Sequence, residues 1–171
     1  MKNWLLIILL LSISCFSFAD EKRSSISIEE NISKADPAVL LRRAYREYLE
    51  LKEALVNADP SGAKMRAGRF NRLITRLQKQ DDHPKYDTLI QLSGDIIKSL
   101  SLDEQRELFS ELSLHFIPII RNSHIDVDAF VNYCRMALDE KGAYWLSESE
   151  EIRNPYFGYE NLRCGEIVEE I

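Results

Sequence analysis

Apolar residues recur at a three-four spacing over much of this 171-residue chain, the period that lines them up on one face of an α-helix. Leu41, Ala44, Tyr48, Leu51, Leu55 and Ala58 form a first stripe. Asp36-Pro37 ahead of it supplies an N-cap acceptor and a proline whose missing N–H costs nothing in a first turn. Asp59-Pro60-Ser61-Gly62 ends that helix. Ala63, Ala67, Phe70, Ile74 and Leu77 make a second stripe, ringed by Lys64, Arg66, Arg69, Arg72 and Arg76, which predicts an amphipathic helix with a basic face. Asp81-Asp82-His83-Pro84 breaks the pattern, and Leu89, Leu92, Ile96 and Leu100 mark a third helix. Ser101 and Glu104 have the spacing of a capping box for a fourth. It carries Leu108, Phe109, Leu112, Phe116 and Ile119, with Pro118 placed to kink its last turn by removing a backbone hydrogen bond.

Each stripe needs a neighbour to cover it, so the fold expected is all-α: an antiparallel four-helix bundle. After Asn122 the texture changes. Ala129-Phe130-Val131-Asn132-Tyr133-Cys134 is rich in aromatic and β-branched residues, and Gly, Pro and Asn punctuate the chain from there to its end. This predicts an irregular or short hairpin C-terminal tail packed on the bundle. Within it, Asn154-Pro155-Tyr156-Phe157-Gly158 reads as a turn that drives two aromatics into the bundle, with Gly158 taking positive φ where the chain reverses.

The beginning of the chain reads as an export signal. Lys2 gives the positive start, an apolar run extends from Trp4 through Leu11, and Ser17-Phe18-Ala19 places small residues at the cleavage positions. Residues 1–19 are therefore expected to be removed after Ala19, which puts the protein in the periplasm with no stable membrane span; the run, interrupted by Ser12, Ser14 and Ser17, falls short of the about 20 apolar residues that a span needs. A lipoprotein signal would use Cys15, but Ser12 stands where such signals have a branched apolar residue. Residues 20–35 read as a flexible leader, and 36–171 as one helical bundle domain with its cysteine-containing tail. The formal net charge is −6, and cleavage removes the positive Lys2, so the composition argues against a nucleic-acid partner held by phosphate neutralisation.

Candidate chemistry gathers in the tail. Cys134 and Cys164 are the two cysteines left after cleavage. If Phe130 to Met136 is extended, Cys134 and Met136 point to the same side. With Cys164 they make a set of soft sulfur ligands suited to Cu(I); Trp145 has a ring face to lay over the ion, and His124 is a further candidate ligand. The same residues also suit a disulfide between Cys134 and Cys164 in the oxidising space beyond the membrane, with Met136 and Trp145 as apolar filler. Both readings stay open on spacing. His83 and His115 read as a loop residue and a partly buried helical one, and Glu148, Glu150 and Glu151 as a solvated acidic turn. No Ser-His-Asp or Cys-His arrangement stands out, so no enzymatic activity is expected.

The chain resembles a bacterial family of unknown function that occurs alone after a signal peptide, or fused to periplasmic adaptor subunits of copper and silver efflux pumps. The resemblance rests on Tyr48-Leu49-x-Leu51-Lys52-x-Ala54-Leu55, Cys134-x-Met136-Ala137, Gly142-Ala143-x-Trp145-Leu146, Ile152 to Gly158, and Cys164-Gly165. It implies a helical bundle without enzymatic activity that binds or hands on Cu(I) or a similar metal, with a periplasmic efflux adaptor or another envelope protein as partner. Two positions depart from the family pattern: Arg135 replaces a proline, and Asn161 replaces a methionine that would be one more soft ligand.

Overall fold

The computed structural model describes residues 36–80 and 85–171. The expected signal peptide (1–19) and leader (20–35), Cys15 and His83 lie outside the described residues. Four helices come first: α1 (Pro37–Val56), α2 (Pro60–Gln78), α3 (Lys85–Lys98) and α4 (Leu102–Arg121). Each packs along the next in sequence. Among the described residues no helix is long and apolar enough to cross a membrane.

The helix boundaries follow from local chemistry. α1 begins at Pro37, directly after Asp36. Asp59 accepts from the Gly62 N–H at 2.9 Å and Pro60 takes the first position of α2, so the segment expected only to end one helix also starts the next. Ser101 caps α4 by accepting from the Glu104 N–H at 3.1 Å. The reciprocal bond of this capping box runs from the Leu100 N–H to the Glu104 carboxylate at 2.9 Å, one residue earlier than the usual partner. Pro118 lies inside α4, which continues to Arg121.

The second stripe is buried in full: Ala63, Ala67, Phe70, Ile74 and Leu77. The first and third need correction at their ends. Ala58 lies past α1 with φ 51° and is exposed, because the chain there is already turning toward α2. Leu100, 96 % exposed, lies beyond α3, and Tyr86 and Ser93 are buried on that helix instead. His115 is exposed on α4. An aromatic cluster fills the core, Tyr48 against Phe109 (5.0 Å between centroids) and Phe116 (5.2 Å), with Phe70 edge-on to Phe116. Burial of each such side chain stabilises the fold by about 1.5–3 kcal/mol.

The all-α expectation is corrected by the tail. It contains a three-stranded antiparallel sheet, β1 (Phe130–Cys134), β2 (Ala143–Ser147) and β3 (Glu166–Glu170), in the order β2-β1-β3. The strand-like segment read from Ala129 to Cys134 contains β1, which becomes the centre of the sheet because both flanking segments fold back onto it. On one face the pairs Cys134–Ala143, Asn132–Trp145 and Phe130–Ser147 lie opposite each other. Apart from the half-buried Phe130, all of these are buried. On the other face Tyr133 packs on Tyr144, 4.5 Å between rings.

β2 and α4 pack together, and Tyr48 joins them. Ser113 donates its proton to the Phe109 carbonyl at 2.8 Å, so at 2.7 Å from Ser113 the Tyr48 hydroxyl is the donor. Its oxygen in turn accepts from the Leu146 N–H at 3.0 Å. Burial pushes the Tyr48 phenol well above its ordinary pKa, and it stays protonated for this role. Tyr45 donates to the carbonyls of Asp128 (2.8 Å) and Ser147 (3.2 Å), a second tie from α1 to the tail.

Candidate functional site

β1 ends at Cys134. The chain then makes a left-handed turn in which Leu138, Asp139 and Glu140 all have φ between 54° and 64°, and Gly142 follows at 76°. Left-handed backbone costs a non-glycine residue on the order of 1–2 kcal/mol. Three in succession are held by the strands on either side and by the Gly142 N–H, which donates to the Ala137 carbonyl at 3.0 Å. This turn corrects the expectation that Cys134 and Met136 share a strand face. Met136 belongs to the turn and is 47 % exposed.

Cys164 approaches Cys134 from the far end of the tail. Its position is set by Asn154, whose side-chain N–H donates to the Cys164 carbonyl at 2.7 Å while its amide oxygen accepts from the Tyr156 N–H at 2.8 Å. The Asn154 N–H also donates to the Leu162 carbonyl at 2.8 Å. One buried asparagine therefore closes the loop from 154 to 164, with its Tyr156 bond in the form of an Asx turn. Gly165 follows at φ 139°, and a Cβ there would stand 2.7 Å from the Trp145 ring and 3.0 Å from the Tyr133 carbonyl. Only glycine lets the chain pass this close, so the Cys164-Gly165 pair has a steric reason.

The result is a pair of free thiols, Cys134 buried and Cys164 half-buried, brought close together: a Cβ on Gly165, next to Cys164, would stand 3.6 Å from the Cys134 Cβ. Burial first, then the neighbouring Cys134 thiol, push the Cys164 thiol up from 9.0 to about 11. Trp145 is fully buried beside them, with its ring against Gly165 and edge-on to Tyr156 at 5.9 Å. Its indole N–H has no hydrogen-bond partner, nor has the side-chain oxygen of Asn132, its cross-strand neighbour. Tyr156 donates to the Tyr144 carbonyl at 2.6 Å; burial pushes its phenol well above the ordinary value.

The sequence-derived candidates thus divide. Cys134, Cys164 and Trp145 come together. Met136 stands at the mouth of the adjoining turn, and His124 is exposed in the link between α4 and β1. Among the described residues no three His, Cys, Asp or Glu side chains gather as metal ligands, so His124 does not join the thiols. Asn132, Asn154 and Tyr156 complete the surroundings. Asn132 was missed because a polar residue in a strand gives no sign in the sequence of which neighbour it will face.

A family model described as a protein of unknown function (DUF3347) matches residues 44–128. The match runs from α1 to the residues just before β1 and contains neither cysteine of the pair. No curated protein and no solved structure matches the chain.

Proposed function

We propose that this chain is an exported, non-enzymatic domain that holds Cu(I), or a similar soft ion, between the sulfurs of Cys134 and Cys164 and passes it to a periplasmic efflux adaptor. The observation that carries the reading is the closeness of two free thiols brought together from opposite ends of the tail, since soft thiolate ligands favour Cu(I). The Met136 thioether, exposed on the next turn, supplies a third soft donor, and the Trp145 ring walls the site from the core. His124 stands apart and takes no role in this reading. The raised pKa of Cys164 means that loading releases protons and tightens as the pH rises toward 11.

The test is titration of the reduced protein with Cu(I) against a chromophoric chelator. One ion per chain is expected, with retention lost in Cys134→Ser and in Cys164→Ser and weakened about tenfold in Met136→Leu, one ligand of three. Retention of stoichiometric Cu(I) by the doubly substituted protein would overturn the proposal.

The same proximity favours a second reading, a structural or interaction module of the cell envelope whose tail is fixed by a Cys134–Cys164 disulfide. Intact protein isolated from the envelope would then be lighter by two hydrogens and resist alkylation. Freely alkylated thiols in fresh protein count against it.

A further inference from the structure

Part of the basic face of α2 lies beside α1, and the two helices line an open cup of about 350 Å³ with Arg43 and Arg46 from one helix and Arg69, Arg72 and Arg76 from the other, all five exposed. Glu47 is the one acidic residue in the lining, and it is already engaged by Arg66 at 3.4 Å and Arg69 at 3.8 Å. Arg43, Arg46, Arg72 and Arg76 have no carboxylate partner among the described residues. The chain as a whole carries 22 basic against 28 acidic residues, so composition alone does not produce such a cluster.

Arg43 and Arg46 are three residues apart, Arg69 and Arg72 likewise, and Arg72 and Arg76 four apart. These spacings put like charges side by side on a helix, which destabilises it by a few tenths of a kcal/mol per pair. Clustering without counter-charge is thus a cost to the folded protein unless an anion relieves it. Arginine presents a flat fork of donors matched to phosphate oxygens. Several forks facing one cup suit a compact group of high charge, whereas a single carboxylate would occupy one fork and leave the rest.

We infer that the α1–α2 cup is a binding site for a phosphate group, either a free di- or polyphosphate or the headgroup of an anionic phospholipid. The site is separate from the thiol pair and does not depend on the metal reading.

Calorimetric titration with pyrophosphate forms one arm of the test, and sedimentation with vesicles of phosphatidylglycerol or of phosphatidylcholine the other. The full chain, Arg43→Gln/Arg72→Gln and the control Lys98→Gln, which removes one charge outside the cup, are compared at low salt. Saturable binding in either arm, weakened at least about tenfold in the double variant and little changed by the control, is expected for charge-assisted bonds. The arm that binds identifies the source of the phosphate. The double variant should also melt at the same temperature or higher, because like charges have been removed. Binding in neither arm, equal loss in the control, or tighter binding of a polyglutamate peptide than of either phosphate probe would overturn the inference.

Discussion

The helices and the tail are held together by different means. From α1 to α4 each helix covers its neighbour with an apolar stripe, and most contacts run between elements adjacent in sequence, with the aromatic cluster joining α1 and α2 to α4. The tail is secured by polar bonds that span the chain. Arg153 clasps Glu53 with three contacts of 2.9–3.3 Å, and Arg106 donates to the Pro155 carbonyl at 3.0 Å. Tyr48 reaches the backbone of Leu146, 98 residues away. An apolar face accepts any partner of roughly the right shape, whereas a hydrogen bond accepts one geometry.

The largest test of that contrast is Trp145→Ala, expected to cost about 3–5 kcal/mol as a large buried aromatic is lost. Monitored by far-UV circular dichroism in urea, the helices should unfold at a lower midpoint together with the tail. An unchanged helical midpoint would mean that the two regions fold independently. Asn154→Ala comes next, at about 1–3 kcal/mol, because it strands the buried Tyr156 N–H and the Cys164 carbonyl. Its effect should also appear as faster alkylation of Cys164. Tyr48→Phe should cost about 1–2 kcal/mol by leaving the Leu146 N–H without an acceptor, and an equal loss in Tyr48→Phe/Ser113→Ala would assign the cost to that N–H.

The Arg153–Glu53 clasp is half exposed and should matter least to stability, less than about 1 kcal/mol. Burial raises the Glu53 pKa, but hydrogen bonds from Arg153 and Lys52 outweigh it and hold the carboxyl below the ordinary 4.5. The folded value being lower, its stabilisation is complete above 4.5 and is lost as the pH falls through the folded value. Arg153→Gln should flatten the acid limb of the stability curve.

Cys164 gives the opposite sign. Its folded pKa of about 11 exceeds the ordinary 9.0, so the neutral thiol favours the fold fully below 9.0 and this is lost as the pH climbs through 11. Iodoacetamide should label native Cys164 about a hundredfold more slowly than the unfolded chain at pH 8, since only the thiolate reacts. Equal rates would mean that neither burial nor the neighbouring Cys134 protects the Cys164 thiol.

These differences explain what could be read in the sequence. The α2 stripe was legible to the residue, because periodicity reports which face is buried. β1 was legible by composition as the run from Ala129 to Cys134, one residue longer than the strand. β3 was not, since Glu166-Ile167-Val168-Glu169-Glu170 is an acidic and mostly exposed edge strand whose pairing is decided by β1. The two cysteines were legible as candidates, but their closeness was not, because it depends on the turn after β1 and on Asn154. Met136 was misplaced for the same reason, since extending the strand two residues ignored the left-handed turn needed to reach β2.

Asn154 also bears on the order of events as the chain folds. Its partners Tyr156 and Cys164 lie 2 and 10 residues away, and loops of about 10 residues close within roughly 10–100 ns. The Tyr48–Leu146 bond, by contrast, must close a 98-residue span and pays the larger entropy of a long loop. Cys164 can thus be set at the end of a small preformed hook before β1 arrives, so that the last step brings Cys134 to a thiol already in place.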